Sequence, residues 1–447
     1  MASSDRGQFS SRFGFIMAAA GSAVGLGNVW GFPTQTASNG GAAFLLIYLL
    51  MMALLAFPML VAELTIGRYG QSNPIGSLRK IWTNNRLLAV LFGTTAMLTA
   101  SMILSFYAIL AGWLIGFGIS PIMKLIGLQQ FSEWLITFGT GRNVLLTVIF
   151  MLMTVFVVRR GVADGIEKWS SRLMPVLFAL FLVLIIYIFT QDGAIDGLRM
   201  YLVPDWEHVN GGLVVNAMGQ AFFSLSLGVG AMMVYGSYLS KDVNIPKTAG
   251  QVAIIDTGVA FFAGLLILPA MFVAKANGVQ IFSETGQLIS SGNLVFTVLP
   301  SLFDSMGLVG EVVGVAFFAL MVIAALTSSI AMLEVPVSCL QEELKIKREK
   351  SAIILGVAIL VFSVLIAANF DTLFDWVATA STMYMQPLLG VVWAVVIGWV
   401  WSRNALLKEI QQGNPEIEKT WFWRIWPIYV KVVCPIAIIM VFAYPFL

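Results

Sequence analysis

Runs of about twenty uncharged, mostly apolar residues recur from one end of this chain to the other, each long enough to cross a roughly 30 Å hydrocarbon layer as a helix. In lipid every backbone polar group must be satisfied inside the protein, which leaves helices or a closed barrel, and runs of this length select helices. Composition agrees: 59% of the 447 residues are hydrophobic and 11% charged, whereas soluble domains carry about 25% charged residues. The sequence therefore reads as one all-α integral membrane domain over residues 1–447, with the lipid bilayer as its first partner. Eleven spans are expected, near 12–37, 42–66, 87–120, 144–158, 166–190, 213–239, 248–274, 311–340, 352–367, 373–400 and 426–446. The first is too long for a signal peptide and lacks a cleavage-site pattern, so the polar leader with Arg6 and Arg12 is expected to stay attached.

Basic residues set the expected orientation. Segments on the N-terminal side of the bundle hold 20 Lys and Arg, whereas the opposite segments hold four: Lys124, Arg142, Arg199 and Lys275. Positive residues stay inside, so the N-terminus is expected in the cytoplasm and, after eleven spans, the C-terminus outside the cell, with the plasma membrane as location. The net charge of +2 then belongs to topology and implies no nucleic-acid partner.

Several chemistries lack their parts. The lone histidine, His208, falls in a polar loop, and Cys339 and Cys434 have no metal-ligand spacing. There is no Gly-rich phosphate loop with its lysine, which argues against an ATP-driven pump. No organic cofactor and no enzyme activity are expected.

Two spans look broken at mid-membrane. The first reads GSAVGLGNVWGFP over 21–33 and the sixth SLSLGVG over 224–230. They lie five spans apart, as two inverted five-helix repeats require: about 10–190 and 213–401, with an extra helix near 426–446. Glycines can also serve close helix packing. The clustering of Ser22, Asn28, Ser224 and Ser226 around them favours a binding site, because unwound backbone offers carbonyls to a bare cation and amides to a carboxylate.

These residues resemble the neurotransmitter:sodium symporter family, in particular its bacterial amino-acid members of the leucine-transporter kind. The resemblance runs from Arg6 to about the tenth span and rests on GSAVGLGNVWGFP, AELTIGRYG around Glu63, QAFFSLSLGVGAMMVYGSY over 220–238 and ALTSSIA over 325–331. It implies alternating access and two sodium sites. The first would use Ala23, Asn28, Ser224 and Asp256 with the substrate's own carboxylate, the second Gly21, Val24, Ala324, Thr327 and Ser328. Oxygen donors of this kind suit a hard cation. On their own, Thr327 and Ser328 would equally read as hydroxyls bonded back to their helix.

The resemblance also implies a substrate carboxylate on the amides of Leu26 and Gly27 and the Tyr107 hydroxyl, and an ammonium on carbonyls of Ala23, Ser224 and Leu225. The side chain would lie among Ile103, Phe223, Ser226, Val229, Ser328 and Met332. Amine-carrying relatives have an aspartate where this chain has Gly25, so amino acids are implied. Val229 and the adaptable Met332 imply room for large side chains, hence sodium-coupled import of hydrophobic L-amino acids, aliphatic and aromatic. The alternatives are a betaine-type osmolyte carrier of the same architecture and a non-transporting amino-acid sensor.

For the gates, the resemblance implies an inner pair of Arg6 and Glu342 with Phe9 and Tyr238 beside it, and an outer lid of Phe223 and Tyr107. The family's outer arginine is replaced by Gly31, with Asp371 and Asp375 near the place of its acid. Gly165 and Pro175 would let the inner end of the fifth span unwind, although a proline kink without that role reads the same way. Asp256 stands where the family usually has asparagine, and its fixed carboxylate would supply the charge that chloride brings elsewhere. Read alone, a lone acid in a span could instead be protonated or bonded to a neighbouring helix.

Overall fold

The computed structural model describes residues 7–281 and 294–444, and among these it is helical throughout with no strand. Among the described residues nine helices are long and apolar enough to span: Ala42–Gly70, Arg86–Leu125, Thr140–Val158, Val162–Ile188, Ile245–Ala276, Gly307–Glu343, Arg348–Ala368, Phe370–Val400 and Trp421–Ala443. A tenth span is the pair Arg12–Ala23 and Gly27–Ser38, bent by 53°. Between the fourth and fifth of the unbroken helices lie Gly211–Ser224 and Ala231–Ser237, separated by non-helical residues 225–230. Each half is too short to cross alone; together they form the expected broken sixth span.

The spans outrun their expected ends because hydropathy stops at the first polar residue whereas a helix stops at its cap. Asn85, for example, accepts the Leu88 amide at 3.3 Å and starts the third span at Arg86. Five shorter helices, Pro74–Ile81, Gln129–Ile136, Ala194–Leu202, Leu299–Ser305 and Arg403–Gln411, occupy segments that read as loops. They are too short for a hydropathy argument to find.

The third and eighth spans pack against one another. The first half of the first span lies against the fifth, seventh and eighth, and Ala231–Ser237 lies against Phe57–Gly70. That last contact is backbone on backbone: a Cβ at Gly67 would fall 1.9 Å from the Met233 carbonyl, and one at Gly236 would fall 2.6 Å from that of Leu64. Small residues at both faces are what allow helices to approach this closely in lipid. The two breaks are thereby held in the centre of the bundle.

The basic segments gather at one end. Buried Arg68 pairs with Glu409 at 2.8 Å, and Lys241 reaches the same carboxylate at 3.1 Å. Arg79 pairs with Glu343 at 2.6 Å. The segments after the second, sixth and tenth spans therefore share one face of the bundle, as the charge distribution predicts.

Candidate substrate and sodium site

At the first break the backbone leaves its α-helical course at Val24 and resumes in a widened turn over Gly27–Gly31. At the sixth, Ser226, Gly228 and Gly230 all take positive φ, at 52°, 78° and 82°. Glycine makes this cheap at 228 and 230. Gly228 is also sterically obligatory, since a Cβ there would lie 2.3 Å from the Gln386 carbonyl oxygen.

Broken helices in lipid need substitute partners for their freed backbone groups. Glu63 accepts the Gly228 amide at 2.6 Å. Gln386 donates to the Leu227 carbonyl at 2.7 Å, Gln220 donates to that of Gly27 at 2.8 Å, and the Ser226 hydroxyl donates to that of Ser22 at 3.0 Å. Sequence reading gave Glu63, Gln220 and Gln386 no role. The available signal was their polarity inside apolar spans, which by itself marks a functional candidate.

Asn28, Ser224 and Asp256 come together between the breaks, each at most 1% exposed. The Asn28 amide donates to one Asp256 oxygen at 2.7 Å and to Ser224 at 2.9 Å, while the Ser224 hydroxyl donates to the other Asp256 oxygen at 2.8 Å. Tyr48, also unforeseen, donates to Ser224 at 3.3 Å. Among the described residues no base pairs with Asp256, so a carboxylate there has only neutral donors to balance it. For Asn28 to serve as a cation ligand, its amide must turn so that the oxygen faces Asp256 and Ser224.

A second oxygen cluster forms where the eighth span meets the first. The Ser328 hydroxyl lies 2.9 Å from the Val24 carbonyl, 3.2 Å from that of Ser22 and 3.4 Å from that of Gly21. The Thr327 hydroxyl bonds within its own helix, to the carbonyls of Ala324 at 3.1 Å and Ile323 at 3.2 Å. Its Cβ would still touch a Cβ added at Gly21, at 3.1 Å, so all five expected residues adjoin. The buried Ser22 hydroxyl has no partner among the described residues.

Between the clusters lies a cavity lined by eleven of the twelve expected substrate residues, together with Gly25, Ala231 and Gln386. The exception, Leu225, is buried in the break. Tyr107 accepts the Leu26 amide at 3.3 Å. The cavity measures about 30 Å³, room for roughly two waters. A Cβ on Gly25 would lie 2.5 Å from the Ser328 hydroxyl and 3.0 Å from that of Tyr107, so the space an aspartate would occupy is filled.

The gating residues are only partly brought together. Arg6 lies outside the described residues. Glu342 accepts from the Ser72 hydroxyl at 2.7 Å and the Asn73 amide at 2.8 Å. Tyr238 donates at 2.5 Å to Glu334, an acid deeper in the eighth span that Arg348 clamps at 2.9 and 2.5 Å. Phe9 packs edge-on against Phe15, Tyr235 and Tyr238. The fifth span has a widened turn at Val162–Glu167 and then runs as helix through Pro175. Gly165 is needed there, because a Cβ would fall 2.2 Å from the Val157 carbonyl. Glu167, another unforeseen residue, accepts from the Ser10 amide at 2.6 Å and from the Ser10 and Ser11 hydroxyls at 2.8 Å, which ties the leader to this turn. Opposite, Asp371 and Asp375 are exposed, and Gln220 occupies the neighbourhood of Gly31, its amide oxygen 3.6 Å from where a Cβ would stand.

The sequence pattern described as the sodium:neurotransmitter symporter family matches residues 6–137 and 127–447. An uncharacterized sodium-dependent transporter of Bacillus subtilis, YhdH, is 33% identical over 97% of this chain and 96% of its own. An uncharacterized sodium-dependent transporter of Haemophilus influenzae is 31% identical over 98% of this chain and 97% of its own. The crystal structure of MhsT in complex with L-phenylalanine superposes with a TM-score of 0.84 at 37% identity, covering 98% of this chain and 99% of that one.

Proposed function

The chain belongs to the sodium:neurotransmitter symporter family, and on that premise we propose that it imports hydrophobic L-amino acids, aliphatic and aromatic, in symport with two sodium ions and without chloride. It is a multi-pass membrane transporter and not an enzyme. The observation that carries the proposal is the convergence of Asn28, Ser224 and Asp256 between two broken helices, beside a cavity whose remaining wall is mostly apolar.

The physical sequence is short. Asp256 attracts a cation, and a sodium ion held by Asp256, Ser224, Asn28 and the Ala23 carbonyl lacks one ligand, which the amino acid's carboxylate completes. That carboxylate also meets the amides of Leu26 and Gly27, while the ammonium takes carbonyls of Ala23, Ser224 and Leu225. Ion and substrate are then each other's ligands, so each raises the affinity of the other by the same factor. A second ion among Gly21, Val24, Ala324, Thr327 and Ser328 ties the first span to the eighth, and its release toward the cytoplasm frees the two to part. MhsT holds L-phenylalanine, which supports an aromatic substrate here. A side chain of that size exceeds a 30 Å³ cavity, so Phe223 and Met332 must give way on binding. We place the N-terminus in the cytoplasm, with Arg6 and Glu342 as the inner gate.

The test is uptake of labelled leucine and tryptophan by purified protein in liposomes under an inward sodium gradient. The expected result is accumulation with sodium, none with potassium, and no loss when chloride is replaced by gluconate. Uptake indifferent to sodium, or confined to glycine and alanine, would overturn it.

A further inference from the structure

We infer that Gln386 is a specificity-determining residue whose side-chain oxygen accepts a hydrogen bond from the side chain of an aromatic substrate that carries a donor, the indole N–H of tryptophan or the phenol O–H of tyrosine. The inference rests on the substrate class proposed above and refines it.

Every other polar side chain lining the cavity is already engaged within the protein. The Tyr107 hydroxyl takes the Leu26 amide, Ser224 donates to Asp256, Ser226 to the Ser22 carbonyl and Ser328 to that of Val24. Gln386 differs: it is 2% exposed, lines the cavity, and its Oε1 has no partner among the described residues. Its amide cannot be turned over to hide this oxygen. The Nε2 donates to the Leu227 carbonyl at 2.7 Å, and a flip would set two acceptors against each other.

The backbone holds the residue in place. A widened turn over Thr379–Met385 ends directly before it and Pro387 follows it; such turns aim side chains that a regular helix would direct elsewhere. Gly228, by lacking a Cβ, lets the Gln386 backbone come against the break. The bond to Leu227 puts the amide on the stretch of the sixth span that follows Ser224 and leads to Val229, a residue assigned to the substrate side chain, whereas the carboxylate is assigned to the amides of Leu26 and Gly27. Gln386 therefore stands where a long side chain would end, on a wall shared with a larger, mostly apolar cavity between the sixth, tenth and last spans. A donor reaching it satisfies a buried acceptor that aliphatic substrates leave unpaired.

The test compares pairs of inhibitors against labelled leucine uptake by the full chain in sodium-driven liposomes: tryptophan against 3-benzothienyl-L-alanine, which replaces the indole N–H by sulfur at nearly the same shape, and tyrosine against phenylalanine. Wild type should bind the donor-bearing member of the first pair roughly tenfold more tightly, the worth of one hydrogen bond to a neutral acceptor. In Gln386→Leu that ratio should fall to about one, whatever the variant's absolute uptake. A wild-type ratio of one overturns the inference without reference to any variant, as does a tenfold ratio that persists in Gln386→Leu. If leucine, phenylalanine and tryptophan all fail to compete, the proposed substrate class itself has failed, an outcome distinct from a ratio of one among amino acids that do compete.

Discussion

Replacing Asp256 by asparagine keeps shape and removes one charge from the proposed sodium site. The carboxylate sits between the Asn28 amide at 2.7 Å and the Ser224 hydroxyl at 2.8 Å with no basic partner among the described residues. For a cation about 3 Å from the carboxylate charge and an effective dielectric of about 20, the Coulomb attraction is roughly 5.5 kcal/mol. Against this stands the desolvation of a buried carboxylate, several kcal/mol that asparagine does not incur. The net loss is then about 2–3 kcal/mol, or a roughly 30- to 140-fold rise in half-saturating sodium concentration. The assay is sodium-dependent substrate binding to purified protein, for wild type and Asp256→Asn, in chloride and in gluconate. Wild type should show the same sodium curve in both salts; the variant should bind sodium far more weakly in gluconate and recover part of the loss in chloride. Protons compete with sodium for the same oxygen, so the wild-type sodium requirement should climb as pH falls, and the variant's should not. A variant that keeps the wild-type sodium curve would refute the assignment, as would wild-type binding that disappears without chloride.

Three further outcomes are expected. Gly25→Asp puts a Cβ 2.5 Å from the Ser328 hydroxyl and a carboxylate where the substrate's own should lie, so amino-acid binding should be lost; phenethylamine competing no better against the variant than against wild type would count against that placement. Pro175→Ala restores an intrahelical hydrogen bond in the fifth span, and stopped-flow sodium release toward the cytoplasmic side should slow; unchanged kinetics would remove unwinding of this helix from the mechanism. Glu63→Ala leaves the Gly228 amide without its 2.6 Å acceptor, which should lower stability by about 1–3 kcal/mol, read as an earlier thermal transition, whereas Glu63→Gln should restore most of it.

The spans and both breaks were legible because lipid imposes length and apolarity, and because glycine and serine stand out against that background. Asn28 and Ser224 stood out as polar residues clustered at the breaks, whereas Asp256, Thr327 and Ser328 were legible as candidate ligands only through resemblance: a hydroxyl in a membrane helix reads equally well as a back-bond, and Thr327 does bond its own helix. Glu63, Gln220 and Gln386 escaped because each serves a break far away in sequence, and no local periodicity records a contact such as that between Glu63 and Gly228. The bond from Tyr238 to Glu334 was not legible for another reason. Glu334 and Glu342 lie about two turns apart on one helix, and only the position of Arg348, which clamps Glu334, decides between them. The short amphipathic helices were invisible because nothing in hydropathy separates them from polar loops.

The unforeseen residues share one physical cause, and it bears on coupling. Unwinding two helices inside a bilayer exposes carbonyls and amides that water cannot reach, and those not taken by sodium or substrate must be taken by side chains. Glu63 from the second span, Gln386 from the tenth and Gln220 within the sixth meet that need at Gly228, Leu227 and Gly27. The backbone left for the proposed sodium ions and substrate ammonium is thus the remainder: Gly21, Ala23, Val24, Ser224 and Leu225. Any movement of the second half of the sixth span must carry Glu63 and Gln386 along or break their bonds at about 1–3 kcal/mol each. Because Gly67 and Gly236 fuse that half to the second span backbone on backbone, carrying Glu63 along is the cheaper course. The second span and the second half of the sixth should therefore move as one body, so spin labels at Gln71 and Ser240, beside the bond from Gln71 to the Leu239 carbonyl, should keep one distance between sodium-bound and sodium-free protein, and a distance that changes would show that the two must slide.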